Sequence, residues 1–365
     1  MQEGANMRKR LIGAAARPLL ATGLAAVALG LAACGGSGGS GGGSSTGTGS
    51  GGGSGGGSAG GAEIAFFTSL GNTYLEATFD GLRAGLRGSG AKVTAFDSQF
   101  DPQKQFTQIQ DAIATRRFDA FVVFPVDGNA IVPLMRQAAD AGIPVVDTDF
   151  PIGSRFDTSD PQVPGVVGSV LLPATAFGAA LGELTVRACA DTTPCEVALL
   201  SSFLRSPFDN AVMESVESFL ADHPDVEVVT KQEGRLLAST ALPVVQNILQ
   251  AHPDVDVVTA NGDQMAAGAE KAIGAAGRAG RVRIIGASAG AIGVRAVRDG
   301  RWFGTSVSLP FTEGEVAAEM VVQAIERGRV DPAGVDPVER AGLPPYLSQD
   351  NLDQFPADFD GQWKG

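Results

Sequence analysis

The sequence predicts an α/β fold built on parallel sheets, and three observations carry the prediction. From Ala62 onward, short β-rich runs alternate with longer segments of helical periodicity. Several of the short runs are continuously apolar, as strands covered on both faces of a parallel sheet must be. The segment His223-Pro-Asp-Val-Glu-Val-Val-Thr230 recurs as His252-Pro-Asp-Val-Asp-Val-Val-Thr259, offset by 29 residues, about the length of one βα unit. In each copy the proline forbids continuation of the preceding helix and leads into the next strand. Both histidines therefore read as helix-end residues, not as ligands or catalytic groups.

The first 61 of the 365 residues stand outside that pattern. Arg8, Lys9 and Arg10 precede an uncharged apolar run, Leu19 to Ala33, that ends Leu31-Ala32-Ala33-Cys34. Fifteen residues fall short of the roughly 20 needed to span a membrane but suit the apolar core of a secretory signal. The closing tetrapeptide resembles a bacterial lipobox. That resemblance implies removal of residues 1–33 as a signal peptide and lipidation of Cys34, and it places the protein on the cell membrane, facing the periplasm or the cell exterior. Acyl chains contribute about 0.8 kcal/mol per buried CH₂, enough for stable anchoring when two or three are attached. From Gly35 to Gly61 the chain is Gly, Ser, Thr and one Ala, and this stretch holds 17 of the 50 glycines. Such a composition has nothing to bury, so residues 34–61 form a flexible linker with a reach of about 30 Å.

The globular part opens with a strand at Glu63–Thr68 and a helix from Asn72 to about Arg87. Further strands read at Lys92–Phe96, Ala120–Pro125, Ile143–Asp147, Glu196–Leu200, Val226–Val229, Val255–Thr259, Val282–Gly286 and Phe303–Val307. Between them Pro102–Thr115, Ala130–Ala141, Thr175–Arg187, Phe208–Ala221, Ser239–Gln250, Met265–Ala276 and Glu313–Arg327 carry helical patterning, often ending at Gly or Pro. About nine βα steps exceed one small doubly wound sheet. Asp149 to Val166, with Pro151, Gly153, Pro161, Pro164 and Gly165, lacks periodicity and marks the passage from a first lobe to a second. After Cys34 the remaining cysteines are Cys189 and Cys195. In an exported protein they read as a small disulfide loop, with two buried free thiols the alternative. Their spacing is not that of a metal site, and both histidines lie in other segments.

Composition excludes some partners. Acids outnumber bases 40 to 27, for a net charge of −13, whereas sequence-independent nucleic-acid binding needs a Lys/Arg surplus.

From Ala62 to about Arg329 the chain resembles the type I periplasmic substrate-binding proteins of the ribose/galactose-binding class. The resemblance rests on Thr68-Ser-Leu-Gly-Asn-Thr-Tyr74, on Phe96-Asp-Ser-Gln-Phe-Asp-Pro102 and on Ala141-Gly-Ile-Pro-Val-Val-Asp-Thr-Asp149. Its most specific part is the helix-strand-helix from Ile248 to Ala269, and the ending Tyr346-Leu-Ser-Gln-Asp-Asn-Leu-Asp-Gln-Phe355 is similar too. It implies two Rossmann-like three-layer (α/β/α) lobes with parallel sheets, joined by a three-strand hinge and enclosing ligand between them. Chain order then assigns about 62–168 and 309–335 to lobe one, about 169–308 and 336–350 to lobe two, and 351–365 to a C-terminal tail.

The resemblance also implies a set of ligand contacts. Asp149 stands where the family places an acid that accepts hydrogen bonds from sugar hydroxyls, a turn-capping role being the alternative. Asn72 and Tyr74 follow strand one at positions similar to the family's polar and aromatic contacts, although Asn72 equally suits an N-cap. Asn210 lies where the family often carries a ligand-binding Arg, close to Arg205, Phe208 and Asp209. Departures bear on ligand identity: Phe150 replaces an Arg common in ribose binders, Phe124 a polar residue after strand three, and Gly262 a frequent Asn beside Asn261. Ser288 stands in place of the family's acid, Ser308 in place of the hinge amide, and Asp263 opens a helix as either cap or contact. Phe67, Tyr74, Phe124, Phe150 and Phe208 supply aromatic faces on which the apolar side of a sugar, or another flat ligand, can stack. Ribose itself fits poorly.

The function implied is a lipoprotein that captures a small polar solute, a carbohydrate first, as a monomer and without a cofactor, and delivers it to an ABC permease. A sensory module presenting a bound signal to a membrane receptor is the alternative. An enzyme is not expected, because the chain contains no G-x-x-x-x-G-K-[ST] or H-E-x-x-H motif and, outside the Gly/Ser linker, no G-x-G-x-x-G.

Overall fold

The computed structural model describes residues 58–365; the signal segment, Cys34 and the linker as far as residue 57 lie outside them. The described chain begins β1 (Glu63–Thr68), α1 (Thr73–Gly85), β2 (Lys92–Asp97), α2 (Pro102–Thr115), β3 (Ala120–Val123), α3 (Val132–Asp140), β4 (Val145–Thr148), β5 (Val166–Val170). These strands pair in parallel in the order β2-β1-β3-β4-β5. The chain then repeats the arrangement. After α4 (Ala174–Ala188) come β6 (Cys195–Ser201), α5 (Pro207–Ala221), β7 (Val226–Glu233), α6 (Ala238–Ala251) and β8 (Val257–Ala260). They are followed by α7 (Asp263–Ala275), β9 (Arg283–Gly286), α8 (Ala291–Arg298) and β10 (Gly304–Ser306). The second parallel order is β7-β6-β8-β9-β10. In each sheet the winding reverses beside the first strand, the switch point at which open α/β sheets receive ligands beyond their C-terminal strand ends.

The last part of the chain serves both lobes. Helix α9 (Pro310–Arg327) packs on α1 and over β4 and β5, and β11 (Gly334–Val335) extends the first sheet from β5. After α10 (Pro337–Ala341), β12 (Tyr346–Ser348) joins β10 antiparallel. Three segments, 171–173, 307–309 and 336–345, thus cross between sheets. They are tied together where the Leu171 N–H donates to the Val335 carbonyl at 3.1 Å and the Val307 N–H to that of Pro345 at 2.9 Å.

Strand alternation explains the continuous apolar runs. In β1, Ala65 and Phe67 enter one core with Phe121 and Val123, while Ile64 and Phe66 enter another with Ala120 and Val122. Both faces are buried, so the positions from Ile64 to Phe67 are all apolar. The second lobe does the same with Val197 and Leu199 on one side and Ala198 and Leu200 on the other. His252 is the C-cap of α6 and His223 follows the C-cap of α5, the helix-end positions read from the repeat. Cys189, C-cap of α4, is bonded to Cys195, the first residue of β6, with Cα atoms 5.7 Å apart. Among the described residues no helix is long and apolar enough to cross a membrane.

Three departures have physical causes. Strand β5 lies where the aperiodic stretch ends, and its Gly168 interrupts the apolar run because a Cβ there would meet the Met320 sulfur of α9 at 2.8 Å. Helix α8, absent from the sequence reading, is completed from afar: the Ala291 N–H donates to the Trp363 carbonyl at 2.8 Å. β11 and β12, only two and three residues long, carry no period of their own.

Candidate functional site

The loop after β4 is folded into a tight turn by a buried acid. Asp147 Oδ2 accepts from the Ile152 N–H at 2.7 Å, and the Phe150 N–H reaches back to the Thr148 carbonyl at 2.7 Å. Asp149 takes φ +63°, a left-handed conformation that Asp tolerates better than most residues and that costs backbone energy. The turn presents Asp149 and Phe150 at the end of the first sheet. Beside them, Asn72 caps α1, its Oδ1 accepting from the N–H groups of Tyr74 and Leu75 at 2.9 and 3.3 Å. The cap sets the first turn of α1, from which the Tyr74 hydroxyl donates to Glu313 Oε2 at 3.2 Å. Glu313 stands in the first turn of α9 and is buried, and its Oε1 has no hydrogen-bond partner.

The second lobe answers with a mirrored pair. Ser206 caps α5, its Oγ accepting from the Asp209 N–H at 3.2 Å, so Phe208 and Asp209 fall in the first helical turn. Asn261, at the end of β8, donates from Nδ2 to Asp209 Oδ1 at 2.9 Å, and Ser202 Oγ donates to the Asn261 carbonyl at 2.8 Å. Across the cleft the rings of Phe150 and Phe208 stack with centroids 4.2 Å apart, and Phe124 lies 5.3 Å behind Phe150. Asp149-Phe150 from one lobe thus faces Phe208-Asp209 from the other. The C-terminal tail completes the wall: the Trp363 ring stands 5.6 Å from that of Tyr74, and its Nε1 donates to the Ser288 carbonyl at 2.8 Å. Gln362 bonds both the N–H and the hydroxyl of Thr312, at 3.0 and 2.8 Å, at the start of α9.

The electrostatics are one-sided. Burial, then the like charge of Asp209, lifts the Asp149 carboxyl to about 7, with the Tyr74 hydroxyl opposing. Burial raises Asp147 to about 7 and Asp209 to about 6, and it holds Glu313 well above the carboxylate range with help from Asp149. No salt bridge among the described residues reaches any of these four. Asp263 is likewise raised by burial to about 7. The sign of the consequence follows from linkage. Unfolded carboxyls titrate near 4, so between about pH 4 and pH 7 the folded state holds protons that the unfolded state has released, and stability falls as pH rises. Scanning calorimetry is therefore expected to show a lower Tm at pH 8 than at pH 5; a Tm that is constant or rises over that interval would contradict the assignment.

Of the sequence-predicted positions, the structure gathers Asn72, Tyr74, Phe124, Asp149, Phe150, Phe208 and Asn261 at the facing strand ends. Ser288 follows β9 at φ +84° and Ser308 lies in the crossing next to the Tyr74 hydroxyl. Phe67, by contrast, is fully buried within the first core. Asp263 is corrected: it is neither the N-cap of α7, which is Gly262, nor offered to ligand. It is wholly buried, its carboxylate accepting from Thr305 Oγ1 at 2.8 Å and the Gly290 N–H at 2.7 Å. A Cβ on Gly286 or Gly293 would come within 2.3 or 2.2 Å of that carboxylate, so the glycines there make room for a pin of the second lobe. On α5, Asp209 lies within electrostatic range of Asp149, and Asn210 is half-buried one position on. Sequence reading missed Glu313 and Trp363, which come from a returning helix and a tail with no periodicity.

The model of the periplasmic binding protein domain family matches residues 64–329. The ribose import binding protein of Bacillus subtilis is 28% identical over 254 residues, 69% of this chain and 77% of that protein. The D-ribose/D-allose-binding protein of Pseudomonas aeruginosa is 28% identical over 224 residues, 60% of this chain and 67% of that protein. The crystal structure of an ABC transporter solute binding protein from Bacillus halodurans with bound myo-inositol has a TM-score of 0.70 at 21% identity, covering 81% of this chain and 97% of that one.

Proposed function

The chain belongs to the periplasmic binding protein domain family, and from that premise we propose that it captures a carbohydrate between its lobes and delivers it to an ABC permease. The observation that carries the reading is the facing pair, Asp149-Phe150 against Phe208-Asp209, at the C-terminal ends of two sheets with the same strand order. Rings that stack on the apolar side of a sugar stand next to acids that accept from its hydroxyls, the combination such a ligand needs. Asn72, Tyr74, Phe124, Asn210, Asn261, Ser288 and Ser308 complete the proposed contact set. A ligand touching both lobes has more contacts in the closed state, and this differential affinity drives hinge closure and gives the permease a loaded shape to recognise. Curated relatives named for ribose import favour delivery over sensing. Catalysis would belong to the transporter's ATPase.

A thermal-shift screen with sugars, polyols, nucleosides and amino acids tests the ligand class. Binding to the folded state alone raises Tm, so sugars or polyols are expected to produce the shift. A shift confined to amino acids or nucleosides would replace the ligand class, and none at all would contradict capture. The lipobox-like ending at Cys34 supports an anchor on the membrane. Cys34→Ser is expected to release it into the soluble fraction on cell fractionation, and continued membrane association would contradict the anchor.

A further inference from the structure

We propose that the preferred ligand carries a protonated amine among its hydroxyls, an amino sugar or amino polyol, with the ammonium held between Asp149 and Asp209. The inference rests on the carbohydrate-capture reading and narrows its ligand class.

The first argument is the meeting of like charges. Asp149 comes from the first lobe and Asp209 from the second, and Asp149, next to the ring that stacks on Phe208, lies in the field of Asp209. Two carboxylates brought together out of water repel unless a proton or a cation stands between them. No Lys or Arg of the described chain does so, for none forms a salt bridge with either acid. The nearby Arg235 is held by Glu233, at 2.6 Å. A ligand cation is what closure lacks.

The second argument is the presence of bare acceptors. Glu313 Oε1 and Asp147 Oδ1 are buried acceptors without partners, and both residues are 1% exposed. Two donors beside the acids are already spent: the Tyr74 hydroxyl on Glu313 and the Asn261 amide on Asp209. Phe124 and Phe150 add none. A sugar hydroxyl both donates and accepts, whereas an ammonium only donates, with three N–H groups, and so matches a site lined by carboxylates. Nearby aromatic faces, Phe150 and Phe208 beside the two acids and Tyr74 beside Trp363, also suit a cation. A metal ion does not fit, because among the described residues no group of three His, Cys, Asp or Glu is placed to hold one. The raised carboxyls agree with this picture, since the missing positive charge is replaced by protons as neutrality is approached.

Calorimetric titration at pH 7.5 of the purified protein with matched pairs tests the proposal: D-glucosamine and D-glucose, D-galactosamine and D-galactose, glucamine and sorbitol. In at least one pair the amine is expected to bind ten-fold or more tightly than its neutral congener. The N-acetyl form of that amine, which keeps the nitrogen and loses the charge, is expected to lose the advantage, and Asp209→Asn to shrink it below about three-fold. Equal or tighter binding of the neutral member in every pair would overturn the amine preference and leave carbohydrate capture standing. So would binding of none of the six by a protein that a neutral sugar of the thermal-shift panel stabilises. Silence of all six and of the whole panel would overturn both. An advantage that survives N-acetylation or Asp209→Asn would place its origin elsewhere and overturn the assignment to these acids.

Discussion

In Gly314→Ala, the first lobe is expected to lose several kcal/mol of stability, because two helices can no longer touch. A Cβ at position 314 would lie 2.0 Å from the Thr78 carbonyl oxygen and 2.5 Å from the Leu82 nitrogen. Gly81, opposite, leaves 1.9 Å between its missing Cβ and the Phe311 carbonyl oxygen. Backbone meets backbone on both sides, so no flexible side chain can swing away and the helices themselves must part. Overpacking a core costs about 1–3 kcal/mol and occasionally more, and rigid neighbours put this site at the upper end. At roughly 2–4 °C per kcal/mol, a melting experiment should show a fall in Tm of about 5 °C or more. A change within 1 °C would mean that α1 and α9 do not cross this closely. The effect reaches the cleft, since Tyr74 opens α1 and Glu313 opens α9, and their 3.2 Å hydrogen bond depends on the same approach.

Asp149→Asn is expected to move binding and stability in opposite directions. Removing a charged hydrogen-bonding partner costs about 1.5–3 kcal/mol, so affinity for the captured ligand should fall about 10- to 150-fold. The free protein should melt no lower than the parent, and higher above pH 7. The substitution relieves a buried charge that faces Asp209, while asparagine tolerates the left-handed conformation at φ +63°. Such an exchange of stability for function marks a site, not a core. Calorimetry and thermal melts on the same preparation separate the two effects. Unchanged affinity would remove Asp149 from the contact set; a lower Tm would show that its carboxylate serves the fold.

Much of the fold is legible because burial on two faces leaves a continuous apolar signature. β1, β3 and β6 could be read from it, and the repeated His-Pro-Asp sets the boundaries of α5, β7, α6 and β8. What escaped depends on distant partners. α8 begins after the run Gly286 to Gly290, and its first N–H is satisfied by Trp363, 72 residues on. β5 contains Gly168 because α9 lies on it. In the site, Asp149, Phe150, Tyr74 and Phe208 follow strands, a position that local sequence reveals. That Asp209 is turned toward Asp149 does not show locally, since adjacent helical residues point about 100° apart and the rotation of α5 is fixed by its packing. Glu313 enters by way of the second crossing, and Trp363 from a segment whose placement rests on tertiary contacts alone. The acid at position 263, read as either cap or contact, is a pin because Thr305 and the Gly290 amide, both remote in sequence, take its oxygens.

Capture of a carbohydrate between the lobes is tested most directly by calorimetric titration of the protein and of Asp149→Asn with the sugar or polyol that gives the largest thermal shift. Capture predicts saturable heat with one ligand per chain, weakened at least ten-fold in the variant. Absence of saturable heat with every sugar and polyol of the panel, or equal affinity in the two proteins, would contradict it.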